Sequence, residues 1–194
     1  MKIKQLLLVS AALTSLSAIP LQAQSAEFGV AGGISNMSDR NLGSGYSLDD
    51  GWNVTFRLTV NTDTIFGHEF GYSYNHTHLL LSGVDTGGMA IHNGFYNFLV
   101  YGLREGKRVR PFVTGGGHFA NFVPPGASAQ YGQGSNKFGV NYGGGVKVRI
   151  KENWLVRFDY RRLFQGKPFN NDLPDPAGGH LKIDQFTVGF AFTL

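Results

Sequence analysis

The sequence predicts an all-β fold: an eight-stranded antiparallel up-and-down β-barrel that crosses a membrane. Three observations carry this. From Phe186 to the end, the apolar residues Phe186, Val188, Phe190, Phe192 and Leu194 occupy every second position, with Thr187, Gly189, Ala191 and Thr193 between them, which is the period of a strand. About eight segments of this kind follow one another, joined by long and short connections in alternation, the pattern of an outer-membrane-type barrel. On most segments one face carries four or five large apolar side chains while the other is small or polar. The interior of an eight-stranded barrel has room for only a limited set of side chains, so the bulky faces belong outside, against lipid.

The chain begins Met1-Lys2-Ile3-Lys4, continues through an apolar run to Ile19 and then reads Pro20-Leu21-Gln22-Ala23. A basic start, an apolar middle of roughly 10 to 15 residues and a small residue after a Pro break describe a secretory signal peptide, expected over 1–23 with cleavage after Ala23 and the barrel domain over 24–194. The run is short of the roughly 20 apolar residues a spanning helix needs.

Taken in order, Glu27 to Met37 is the first strand, with Phe28, Val30 and Ile34 on one face, and Ser38 to Asp50 is a long polar loop. Gly51 to Asn61 alternates Trp52, Val54, Phe56, Leu58 and Val60 against Asn53, Thr55, Arg57 and Thr59, and a short turn leads into Ile65 to His78, whose polar face carries Glu69. Leu79 to Gly88, with Ser-Gly and Asp-Thr-Gly-Gly, is expected to be a second long loop. Met89 to Leu103 is a strand of mixed faces, with Tyr96, Phe98 and Val100 outward and Asn93 and Asn97 inward. Val109 to Val123 follows a short turn, and Pro124 to Asn136 is the third long loop. Phe138 to Ile150 sets its large residues against Asn141, Lys147 and Arg149, and Trp154 to Phe164 sets Trp154, Val156, Phe158 and Tyr160 against Arg157, Asp159 and Arg161. Gln165 to His180 is the fourth long loop, before the final strand from Leu181.

Composition agrees with this reading: 28 glycines, 13% aromatic residues and only 15% charged residues suit strands broken by turns and anchored at interfaces. Trp52, Trp154, Tyr72, Tyr74, Tyr142 and Tyr160 lie near strand ends, where they fit interfacial girdles. With no cysteine, disulfides and thiolate metal sites are excluded. The formal charge is +4, of which Lys2 and Lys4 supply two. Apart from Lys107, Arg108 and Arg110 there is no basic cluster, so no nucleic-acid partner is expected. No cofactor and no metal site are expected either.

The inward charges Arg57, Glu69, Lys147, Arg149, Arg157, Asp159 and Arg161 read as an internal network that fills the barrel, since charges taken from water need partners; a pore lining is the competing reading. His68 and Glu69 are adjacent on a strand and point to opposite faces. His76 and His78 share a face near a loop, while His92, His118 and His180 lie toward loop ends. No catalytic site is expected from them. Gly115 to Gly117 and Gly143 to Gly145 lack a following helix and so the phosphate-cradle context; they read as relief of crowding in the wall.

On the signal peptide, the alternation of strands and loops and the final strand, residues 27–194 resemble the outer-membrane β-barrel domain family, the small OmpA-like and OmpX-like eight-stranded proteins. Such families usually end in Phe, which the assembly machinery reads with the preceding alternate apolar residues; here the last residue is Leu194, behind Phe190 and Phe192. The resemblance implies a monomer in the cell outer membrane among outer-membrane lipids and lipopolysaccharide, met by the barrel-assembly machinery during insertion. It implies a structural or surface-interaction role through the long loops, with a narrow solute channel or a lipid A acyl hydrolase or transferase as alternatives. The enzymes of that kind use a His with a Ser and a carboxylate; this sequence has no His-x-Ser pattern like that of the deacylases.

Overall fold

A computed structural model describes residues 23–62, 65–127 and 134–194 of the chain; the expected signal segment lies outside these residues except for Ala23. Among the described residues there are ten strands: β1 (Ala23–Ser38), β2 (Asn41–Gly43), β3 (Tyr46–Leu48), β4 (Gly51–Thr62), β5 (Phe66–Leu81), β6 (Val84–Tyr101), β7 (Val109–Val123), β8 (Ser135–Lys151), β9 (Trp154–Gly166) and β10 (His180–Thr193). The eight long strands pair antiparallel with their chain neighbours, and β1 pairs with β10 from Glu27 opposite Thr193 to Ser38 opposite Lys182, which closes the barrel. Closure leaves no free edge along the wall, so the strands satisfy their backbone groups by pairing with one another, as hydrocarbon surroundings require. The short pair β2–β3 attaches to the loop end of β5.

The exterior is apolar where the alternation places it. Phe28, Val30, Phe56, Leu58, Phe70, Val113, Val140, Phe158, Val188 and Phe190 are all exposed, and so are Phe186, Phe192 and Leu194. Tyr96 and Phe98 face outward, with Asn93 and Asn97 fully buried within, so the mixed strand faces as expected. Its inward set also includes Phe95, Leu99 and Tyr101, which is why its faces look mixed in the sequence.

Two expectations are corrected. The segment from Leu79 to Gly88 is no long loop: β5 and β6 run on together, Leu81 opposite Val84, and the turn is only Ser82-Gly83. A register shift between Leu79 and Leu80 breaks the two-residue period there, and the glycines and Asp85 carry no apolar signal. Three long connections therefore remain. The second correction concerns the lumen, which is not polar throughout. At the loop end Met37, Leu79, Met89, Ile91, Phe122, Leu163, Leu181 and Ile183 point inward and form one buried cluster, joined by Leu42 of β2 and Leu48 of β3. At the same level the outside turns polar, with Arg162 bonded to Asp184 and Lys182 to Asp39. The Lys182 ammonium hydrogen-bonds the Asp39 carboxylate, in the loop after β1, and holds it below its usual pKa. Above that level the sheet is apolar within, the reverse of its middle, while the outside mixes these ion pairs with Phe138 and Val140, which stay exposed.

Glycines on the inward face make room for rings. A Cβ added at Gly71 would collide with the Phe95 ring, and one at Gly145 would press on the Phe112 ring. Gly71→Val is expected to displace Phe95 and lower stability by about 1–3 kcal/mol, checked by urea unfolding of the reconstituted barrel.

Candidate functional site: the lumen and its loop-end mouth

Both turn-end and central charges lie in a lumen closed tier by tier. In the central tier Glu69 of β5 accepts hydrogen bonds from Arg157 and from Arg161, the latter at 2.8 Å, and Asp159 accepts from Arg157 at 2.7 Å and pairs with Arg57 at 3.3 Å. Going round the wall, β5 and β9 are four strands apart in either direction. The Glu69 bridges to Arg157 and Arg161 therefore cross the full diameter. The guanidinium of Arg157 lies 4.5 Å over the Phe112 ring and that of Arg161 lies 4.3 Å over Phe95, cation–π contacts that fill the space the ion pairs leave.

The tier nearer the short turns holds Lys147, whose ammonium donates to Glu27 and, at 2.7 Å, to the Tyr101 hydroxyl, which in turn donates to Asn61 Oδ1 at 2.6 Å. Above the central tier, Asn75 Oδ1 accepts from Ser35 Oγ at 2.9 Å and from Gln185 Nε2 at 2.6 Å, and His118 Nε2 meets Gln165 Oε1 at 2.7 Å. The apolar cluster then fills the loop end.

Of the seven charges the sequence singles out, Arg57, Glu69, Arg157, Asp159 and Arg161 are joined directly. Lys147 is buried beside them but takes Glu27 as its partner. Arg149 leaves the lumen: in the turn region it pairs with Glu105 at 3.1 Å, and Glu105 also holds Arg110. Arg149 keeps inward parity, but near the end of β8 the nearest acid is on a turn, not on the wall. Glu27 and Tyr101 are the residues the sequence reading missed. Parity could have found both, since Glu27 lies one position from outward Phe28 and Tyr101 continues the inward series of Asn93 and Asn97.

The histidines separate by face. His68 Nδ1 meets Tyr96 hydroxyl at 2.8 Å on the exterior, His92 bonds Tyr72, His76 stacks on Trp52 with ring centroids 5.5 Å apart, and His78 pairs with Asp85 at 2.8 Å. These contacts put Trp52, Tyr72, Tyr74, His76 and His92 in one aromatic band near the loop end of the wall, while Trp154 packs on Phe192 near the turns. On β9, away from that band, Tyr160 packs on Phe186 and donates to Asp184 Oδ1 at 2.7 Å. His180, at the start of β10, is exposed; His118 is inside the barrel, and among the described residues its hydrogen-bond partner is an amide, with no serine hydroxyl or carboxylate on it. No group of three or more His, Asp or Glu side chains able to hold a metal occurs among the described residues.

At the mouth, the β2–β3 hairpin and the connection from β9 to β10 are tied together. Ala177 N–H donates to Leu42 carbonyl at 2.9 Å, Asp175 N–H donates to Ser44 Oγ at 3.1 Å, and Gly43 forms a bridge with Pro176. Between them and the barrel rim lies a cavity of about 210 Å³ lined by Leu42, Tyr46, Leu79, Pro124, Phe169, Asp172 and Leu173.

No curated protein sequence matches the chain. Among solved structures it is similar to Neisserial surface protein A, at 14% identity over 86% of this chain and 96% of that one with a TM-score of 0.56. It is likewise similar to the outer membrane protein OprG from Pseudomonas aeruginosa, at 13% identity over 90% and 98% of the two chains with a TM-score of 0.56. At such identities the likeness is one of fold: a closed barrel of the outer membrane. The family model described as the outer membrane protein beta-barrel domain matches residues 8–193. A closed eight-stranded wall, apolar where it meets lipid and ion-paired within, thus accompanies a match over nearly the whole length, and the chain belongs to the outer membrane protein β-barrel domain family.

Proposed function

We propose that the protein is a non-conducting surface protein of the outer membrane whose working face is its loop end, built by the β2–β3 hairpin, the projecting tip of β5–β6, residues 124–127 after β7 and the connection 167–179. In this family geometry the short turns and both strand termini lie on the periplasmic side and the long connections outside. The observation that carries the reading is the ion pairing of Glu69 with Arg157 and Arg161 across the lumen, which argues against a solute path at that level and for the exterior loops as the accessible part. Segment 1–23 serves export and is removed after Ala23. Phe186, Val188, Phe190, Phe192 and Leu194, outward on the last strand, are the signal the assembly machinery reads, and lipopolysaccharide surrounds the upper aromatic band.

Reconstituted in planar bilayers, the protein is expected to pass no steady current. A stable ion conductance in the wild type would replace this reading by that of a channel.

A further inference from the structure

The cavity at the mouth has features that a gap between loops does not need. Its wall is apolar, and the buried layer beneath it, including Met89, Ile91 and Phe122, makes it end blind above the polar tiers. Phe169, one of its walls, sits at φ 60°, in the left-handed region, where a bulky residue is a genuine outlier. The conformation is held from both sides: Phe169 N–H donates to Ser135 Oγ at 3.1 Å, and its carbonyl accepts from Asp172 N–H at 2.9 Å and Leu173 N–H at 3.1 Å. Strain that its surroundings over-determine clusters where ligands are clamped. Here it keeps an aromatic ring at the wall of an open cavity, facing the β2–β3 hairpin that the bond between Leu42 and Ala177 ties to the β9–β10 connection.

We propose that this cavity binds a small hydrophobic molecule of about one aromatic ring, neutral or cationic, taken from the medium outside the cell. An apolar cavity of about 150 Å³ is enough to hold benzene, and this one, open on one side, offers about 210 Å³. The sign of charge follows from the surroundings. Asp172 lines the cavity, and the loop end carries Asp39, Asp49, Asp50, Asp85, Asp172 and Asp175 against Arg40, Lys137, Lys167 and Lys182, so an anionic group meets net repulsion. The proposal rests on the loop end being the working face. A barrel that passes no current and binds no probe would keep that reading and lose this one.

The test is a ¹⁹F NMR titration of the barrel in lipid nanodiscs, with empty nanodiscs to subtract partitioning, using 4-fluorotoluene, 4-fluorobenzylamine and 4-fluorobenzoate. Saturable binding is expected for the first two, with the benzoate at least about tenfold weaker. Leu173→Trp, which fills the cavity, is expected to weaken 4-fluorotoluene at least about tenfold. Should that variant fail to fold, Phe169→Gly carries the test, because it relieves the positive φ while removing the ring, and a similar loss is expected. Asp172→Asn is expected to narrow the gap between benzoate and toluene. Absence of a saturable component, equal affinity in the folded variants, or benzoate binding as tightly as toluene would overturn the proposal.

Discussion

Replacing Glu69 with alanine is expected to lower the unfolding free energy of the barrel by about 3–5 kcal/mol, the usual consequence of removing one partner from a buried ion pair. Glu69 is fully buried and bonded to two guanidinium groups, Arg157 and Arg161, and Asp159 alone would then face Arg57, Arg157 and Arg161. The cost comes less from the lost bonds than from cations stranded in a narrow lumen with no water to reach them. Arg40→Ala is the control: its pairs with Asp49 and Asp50 are exposed, at 3.4 and 3.7 Å, and exposed pairs contribute about 0–1 kcal/mol. Urea unfolding in lipid vesicles, followed by tryptophan emission and by the mobility shift between folded and heated forms, measures both. Equal effects at the two sites would show that the lumen pairs are hydrated and that the barrel is not plugged by them.

A charge placed on the outer wall should act by depth. Val188→Arg is expected to cost about 2–4 kcal/mol, and Ile150→Arg, near the turns, about 0–1 kcal/mol. Val188 is 52% exposed at the middle of β10, between Asp184 toward the loops and Phe192 toward the turns, and faces outward opposite Phe158. With half its surface open to the exterior, an arginine there loses chiefly its hydration to hydrocarbon. In detergent micelles of shorter chain length the difference between the two variants should shrink, because water reaches the middle of the wall more easily.

Much of this molecule was legible because the wall imposes a strict period. Val188 and Phe190 declare the outward parity of β10, and once that is known the inward parity of Arg157, Asp159 and Arg161 on β9 follows from the pairing. What the period does not carry is distance across the barrel. That Lys147 meets Glu27 and not Asp159 depends on strands β1 and β8, far apart along the chain and brought together only by closure. The apolar inward residues at the loop end were hidden for a different reason. Leu163, Leu181 and Ile183 keep the inward parity that farther down belongs to arginine and glutamine, so a rule that equates inward with polar fails there. The mouth cavity was illegible altogether, since Leu42 and Leu173 lie in connections without periodicity and are united by backbone bonds between two loops.

The reversal of polarity near Arg162 and Asp184 fixes how deep the molecule sits. Hydrocarbon covers roughly 25 Å of wall as in other barrels of this kind, and on β9 and β10 the paired side chains of Arg162 and Asp184 mark where polar groups first interrupt the greasy exterior. The remaining upper sheet, together with the extended β5–β6 tip, stands clear of the lipid as a small water-facing turret whose stability comes from its own dry centre, so a thicker or thinner bilayer should move the waterline without loosening it.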